Sequence, residues 1–177
     1  MTWLDQADSR DRLLRERLVA FGLIVFVIAA DQLTKYLVES STARLPWSLN
    51  LLGCEASISL YRNSGAFLSM GSALGPWARV VLVAVVPAVV SIVALRYIFS
   101  SGPSRPLQRV CFSLVAAGAI GNLIDRLTRG GEVTDFLFVG CGPVRTGVFN
   151  VADMALTAAA LVLIFDLAWY ERRAARA

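Results

Sequence analysis

Four long apolar stretches dominate this chain and leave few ways to fold it. They run from about Leu18 to Val38, Trp77 to Phe99, Leu107 to Leu127 and Val151 to Tyr170. Each approaches the roughly 20 mostly apolar residues that an α-helix needs to cross a bilayer. The composition agrees: 56% of residues are hydrophobic and 17% charged, against about 45–50% and about 25% in soluble domains. The sequence therefore predicts an all-α membrane protein of four spans, a single integral membrane domain over residues 1–177 with a basic lead at 1–17. No internal repeat or low-complexity tract interrupts it.

Basic residues set the expected orientation. Arg10, Arg12, Arg15 and Arg17 precede the first span. Arg96, Arg105 and Arg109 flank the second connection, and Arg172, Arg173 and Arg176 follow the last span. Arg44, Arg62, Arg79, Arg129 and Arg145 are spread over the longer opposite segments. Both termini are thus expected in the cytoplasm, with segments of about 39–76 and 128–150 facing outward. The arginines gather at span edges and form no nucleic-acid stripe. A cleaved leader is disfavoured, because Asp31, Thr34 and Lys35 continue the helical pattern directly after Ala29 and Ala30. The lead from Asp8 to Leu18 reads as a solvated or interfacial helix. In the outward segments, Ala56 to Arg62 alternates and Val133 to Val139 is β-branched and aromatic, so both read as strands.

The sequence contains no histidine and three cysteines. This excludes a Ser-His-Asp triad, a Cys-His dyad and histidine-ligated zinc; no metal or cofactor is expected. Cys111 lies within a span as a packing residue. Cys54 and Cys141 both face outward, where a bridge is permitted but not fixed by spacing.

Charged groups inside spans are costly, and are functional or paired by default. Asp31 and Lys35, the only lysine, are four apart on one helix face. The third span ends with Gly118, Gly121, Asn122, Asp125 and Arg126. There the glycines suit close helix packing, and Asp125 is either structural, neutralised beside Arg126, or functional. The fourth opens with Asn150, suited to an N-cap, and Asp153, stabilised by the helix dipole. Asp135 is a further carboxylate on the same expected side. Two facing carboxylates that share one proton can activate water against an amide and protonate the departing nitrogen. Asp166 falls about 20 Å further along the helix from Asp153 and reads as a paired or snorkelling residue.

In this order the motifs resemble the bacterial lipoprotein signal peptidases (signal peptidase II). An Asp with a Lys four residues on matches Asp31 and Lys35. Asn-x-Gly-Ala matches Asn63, Gly65 and Ala66, and Gly-Asn-x-x-Asp-Arg matches Gly121, Asn122, Asp125 and Arg126. Val-x-Asp matches Val133 and Asp135, and Phe-Asn-x-Ala-Asp matches Phe149, Asn150, Ala152 and Asp153. The resemblance implies four helices, a small outward β-element and an amphipathic surface helix, with Asp135 and Asp153 as a catalytic dyad. It further implies that Asn122, Asn150 and Arg126 support the dyad or hold substrate, with Asn63 nearby. The implied substrate is a diacylglyceryl-modified prolipoprotein, cut just before the lipidated cysteine by a monomer in the inner membrane. Two departures from the family pattern are Phe67 directly after Ala66, and Gly130-Gly131 in the stretch before Asp135. Other readings are a Ser-Lys protease using Lys35, a small proton-coupled transporter, and a non-catalytic homologue that binds lipopeptides.

Overall fold

The computed structural model describes residues 3–41, 46–65, 75–100 and 105–174. Helix α1 (Trp3–Ser40) carries the first apolar stretch without a break. Strands β1 (Trp47–Leu51) and β2 (Cys54–Asn63) follow. The second stretch is α2 (Pro76–Val80), a π turn (Val81–Val85) and α3 (Val86–Phe99). Then come α4 (Pro106–Thr128), β3 (Val133–Cys141), β4 (Val144–Arg145) and α5 (Val151–Ala174). Among the described residues, three helical stretches are long and apolar enough to cross a membrane: Val81–Phe99, Pro106–Thr128 and Val151–Arg173.

The π turn has a local cause. Pro87 has no N–H to donate and its ring crowds the carbonyl four residues back, so the regular ladder fails there. The N–H of Val86 reaches instead to the carbonyl of Val81, five residues back, which widens the turn. Helix α4 starts with proline at its first turn and ends on glycine. Gly130 and Gly131 have φ of 64° and 91°, and Gly131 N–H returns to the carbonyl of Arg126 at 2.9 Å. This left-handed cap stops the helix and turns the chain into β3.

Helix α4 packs against α1, α3 and α5. Its contacts use small residues: Ala116, Ala117 and Ala119 of α4, Ala94 of α3, and Ala152, Ala155 and Ala159 of α5 are all buried. Close approach of this kind gives van der Waals packing where lipid supplies no hydrophobic drive between helices. The large side chains point the other way: Phe21 and Phe26 of α1, Ile92 of α3 and Ile164 and Phe165 of α5 are exposed. The lead is the first part of α1 rather than a separate surface helix. Arg17 donates to the carbonyl of Phe99 at 2.8 Å, and Glu16 pairs with Arg109. No separate amphipathic surface helix stands among the described residues.

The sheet is antiparallel in the order β1-β2-β3-β4. It contains both expected strands and adds β1 and β4. Cys54 and Cys141 face each other across β2 and β3 and form a disulfide. A bulge between Ile58 and Tyr61 shifts the register and bends the strand. Beyond it Tyr61 lies opposite Asp135, and Asn63 opposite Val133. After β4 the chain doubles back along β3. Phe149 and Leu137 exchange backbone hydrogen bonds of 2.8 Å, which brings Asn150, at the start of α5, beside Asp135.

Candidate active site

Asp135 on β3 and Asp153 in the first turn of α5 line one cavity of about 890 Å³. Each carboxylate is held by asparagine. Asn150 Nδ2 donates to Asp135 Oδ1 at 2.7 Å, and Asn63 Nδ2 donates to Asp135 Oδ2 at 2.9 Å. Asn122 Nδ2 donates to Asp153 Oδ1 at 2.8 Å. Asn150 also caps α5: its Oδ1 accepts from Asp153 N at 2.9 Å, and Asp153 Oδ2 faces Asn150 N at 3.3 Å. The expected cap is therefore present, and it leaves Asp153 on the cavity. The cap uses the Asn150 side-chain oxygen and backbone N–H, which leaves its Nδ2 to donate to the other aspartate.

Asp135 is 1% exposed. Burial pushes its carboxyl up to about 6, since desolvation disfavours the charged form. The Asn63 donor opposes this, the charge of Asp153 adds to it, and Asn150 and Lys35 pull back.

The remaining expected residues split into two groups. Arg126 lines the cavity with Asn63, Asn122 and both aspartates. Its guanidinium is held loosely, 3.4 Å from the carbonyl of Asn122 and 3.5 Å from that of Gly65. Gly65 is tied to the site by its N–H, which donates to Asn63 Oδ1 at 3.0 Å. Ala66 and Phe67 lie outside the described residues.

Asp31, Lys35 and Asp125 instead form a sealed cluster behind the asparagines. All three side chains are fully buried. Lys35 Nζ lies 2.8 Å from Asp31 Oδ2, 2.9 Å from Asp125 Oδ2 and 3.3 Å from Asn122 Oδ1. Its three donors are used, so it is no free base for a Ser-Lys mechanism. Asp31 Oδ1 accepts from the N–H of Ala152 at 2.9 Å, which ties α1 to α5. Asp125 makes its close ion pairs with Lys35 and Arg129 rather than with its neighbour Arg126. Adjacent helix residues diverge, whereas Arg129, four residues on, returns to the same face.

Sequence reasoning missed the outer half of this cluster. Gln32 bridges Asp31 and Asp125. Glu39 accepts from Arg129 Nε at 2.9 Å and from the Thr134 hydroxyl at 2.7 Å, and pairs with Arg62 at 3.2 Å. The spacing Asp31, Lys35, Glu39 and the step from Asp125 to Arg129 are the signals that could have found them. Asp166 is paired, as expected, with Arg105 and Gln108 at the far end of α5. Gly118 and Gly121 serve packing. A Cβ on Gly118 would lie 2.6 Å from the carbonyl oxygen of Ala152, and one on Gly121 would lie 2.9 Å from Asp31 Oδ2.

The cavity continues from the aspartates into an apolar groove. Leu82 of the π turn and Val86, Pro87 and Val90 form one wall, Met154, Leu156 and Leu161 of α5 another, and Ala119 of α4 lies between. A polar pocket thus opens onto apolar helix faces. The sequence profile described as Signal peptidase (SPase) II matches residues 23–169. The chain belongs to the signal peptidase II family. It is 37% identical over 145 residues to the lipoprotein signal peptidase of Moorella thermoacetica, covering 82% of this chain and 89% of that one. With the lipoprotein signal peptidase of Hydrogenovibrio crunogenus it shares 35% identity over 170 residues, 92% of each chain. Two solved bacterial membrane enzymes superpose with TM-scores of 0.69 and 0.67, at 28% and 29% identity. They cover 84% of this chain and 87% and 92% of their own. This signal peptidase II family member is therefore a protease of the bacterial membrane.

Proposed function

We propose that the chain is an aspartic endopeptidase that removes the signal peptide from diacylglyceryl-modified prolipoproteins, cutting just before the lipidated cysteine. The observation that carries this reading is the juxtaposition of Asp135 and Asp153 on one cavity that runs into an apolar groove. The acyl chains lie in the bilayer, and the groove between α3 and α5 admits them from the side. Asp135 and Asp153 share one proton and hold a water between them. The ionised carboxylate takes a proton from that water as its oxygen adds to the scissile carbonyl carbon. The protonated carboxyl supplies the proton that leaves with the amine. Asn63, Asn122 and Asn150 aim the two carboxylates, and Arg126 donates toward substrate carbonyls.

The first apolar stretch completes a four-span domain over residues 1–177. Support comes from α1 itself, whose outward face presents Val19, Phe21, Val25 and Phe26 while Ala20, Ile24 and Val27 pack inward. Both termini are cytoplasmic and the site lies at the outer face of the inner membrane, where a monomer acts. The arginine distribution supports this orientation, as does a disulfide in the sheet, which suits an oxidising compartment.

The test is cleavage of a diacylglyceryl-modified prolipoprotein and its unlipidated twin by the purified protein in detergent. Cleavage confined to the lipidated form is the expected result. If folded protein cuts neither, the reading fails and lipopeptide binding without catalysis takes its place.

A further inference from the structure

The far end of the molecule carries a second, smaller cleft, about 440 Å³, lined by Arg105, Trp169, Tyr170 and Arg173. Trp169 lies 16 residues beyond Asp153 on α5, about 24 Å along the helix, so the cleft sits at the opposite membrane face from the aspartates. Each of its arginines sits over an aromatic ring. Arg105 lies over the Tyr170 ring at 4.7 Å, and Arg173 over the Trp169 ring at 5.2 Å. A cation–ring contact of this kind restrains a guanidinium without using up its N–H donors.

Among the described residues, the charged group paired with Arg105 is Asp166, whose two oxygens lie 3.4 Å from Arg105 Nη1. Its Oδ2 is shared with Gln108 Nε2 at 3.0 Å, so the ion pair is loose and does not saturate the guanidinium. Arg105 also stands at the N-terminal end of the 23-residue helix α4, whose dipole adds positive potential there. Trp169 and Tyr170 are 61% and 54% exposed on the end of a span. That is where amphipathic rings settle at headgroup level.

Two ring-held arginines, a positive helix end and two interfacial aromatics converge on one cleft. We infer that this cleft binds the phosphate of an anionic phospholipid headgroup from the leaflet opposite the active site. The chemistry is a guanidinium fork on phosphate oxygens, with the rings resting on the glycerol and upper acyl region. The leaflet assignment rests on the proposed orientation, whereas the anion chemistry of the cleft does not depend on the peptidase activity.

The test is native mass spectrometry of the full chain released from detergent, with phosphatidylglycerol or phosphatidylcholine of matched acyl chains. Wild type is expected to retain phosphatidylglycerol about tenfold better or more, the preference two arginines at a phosphate surface supply. Arg105→Gln combined with Arg173→Gln removes the preference while thermal unfolding and peptidase activity stay as in wild type. Arg172→Gln, outside the cleft, keeps it. Equal retention of the two lipids by wild type overturns the proposal, as does a preference that survives the double substitution. Displacement of phosphatidylglycerol by millimolar inorganic phosphate would make the cleft a free-anion site and overturn the lipid assignment.

Discussion

Replacing Lys35 with methionine tests whether the cluster behind the active site holds the molecule together. Methionine keeps most of the apolar stem and removes the cation. Two carboxylates, at 2.8 and 2.9 Å from Nζ, then lose a partner in a fully buried setting. Asp125 keeps Arg129 and the N–H of Thr134. Asp31 keeps only uncharged donors, the N–H of Ala152 and Gln32 Nε2. Breaking a buried pair by removing one partner costs about 3–5 kcal/mol, most of it the uncompensated charge. The expected loss is of that size and lies almost wholly on Asp31. Lys35→Met combined with Asp31→Asn should therefore be more stable than Lys35→Met alone, since the amide oxygen still accepts from Ala152 and no charge is stranded. Thermal unfolding in detergent micelles reads both variants and gives the coupling energy of the cycle. A loss below about 1 kcal/mol for Lys35→Met, or a double variant as unstable as the sum of its parts, would show that Lys35 does not hold this cluster together.

Other consequences follow from the same geometry. Gly118→Ala presses a methyl onto the Ala152 carbonyl at 2.6 Å, and should cost about 1–3 kcal/mol of stability, measured by thermal unfolding. An unchanged midpoint would show that α4 and α5 are less tightly opposed. Asn122→Ala removes the donor to Asp153 and the acceptor shared by Lys35 and Asn150. It should lower kcat about 10- to 100-fold, the range for a stranded buried partner, with KM little changed; a rise in KM alone would assign Asn122 to substrate binding. The pH profile of kcat/KM should be bell-shaped. Its alkaline limb should lie near the Asp135 value of about 6, above the ordinary carboxylate range, because activity is lost when the last shared proton leaves. Stability follows the same sign. The raised carboxyl favours the fold at low pH, and this contribution fades as pH climbs from about 4 through about 6. The stability gap between Asp135→Asn and wild type should thus move in favour of the variant over that window.

The candidate site was legible because polar residues are conspicuous in an apolar chain. Asp31, Lys35, Asn122, Asp125 and Asp153 interrupt stretches otherwise suited to lipid, and that cost marks them without any structure. Asp135 stood out for the same reason, in a strand of valine and phenylalanine. Glu39, Arg62 and Arg129 did not, because charges near span ends are ordinary at an interface and only packing shows them joined. Strand β1 was missed for a different reason. All five of its residues are exposed, so no alternation betrays it, and pairing with β2 alone makes it a strand. The π turn is also opaque in sequence. Pro87 signals a disturbed helix, but whether the chain kinks or widens depends on its neighbours.

Whether Asp135 and Asp153 act as one catalytic pair is decided by amide replacement. Asp135→Asn and Asp153→Asn would each be purified, checked for thermal unfolding, and assayed on the diacylglyceryl-modified prolipoprotein. Each variant is expected to fold and still bind the substrate, with cleavage lost by about 1,000-fold or more, as for residues that act as a unit. Substantial cleavage by either folded variant would contradict the pairing.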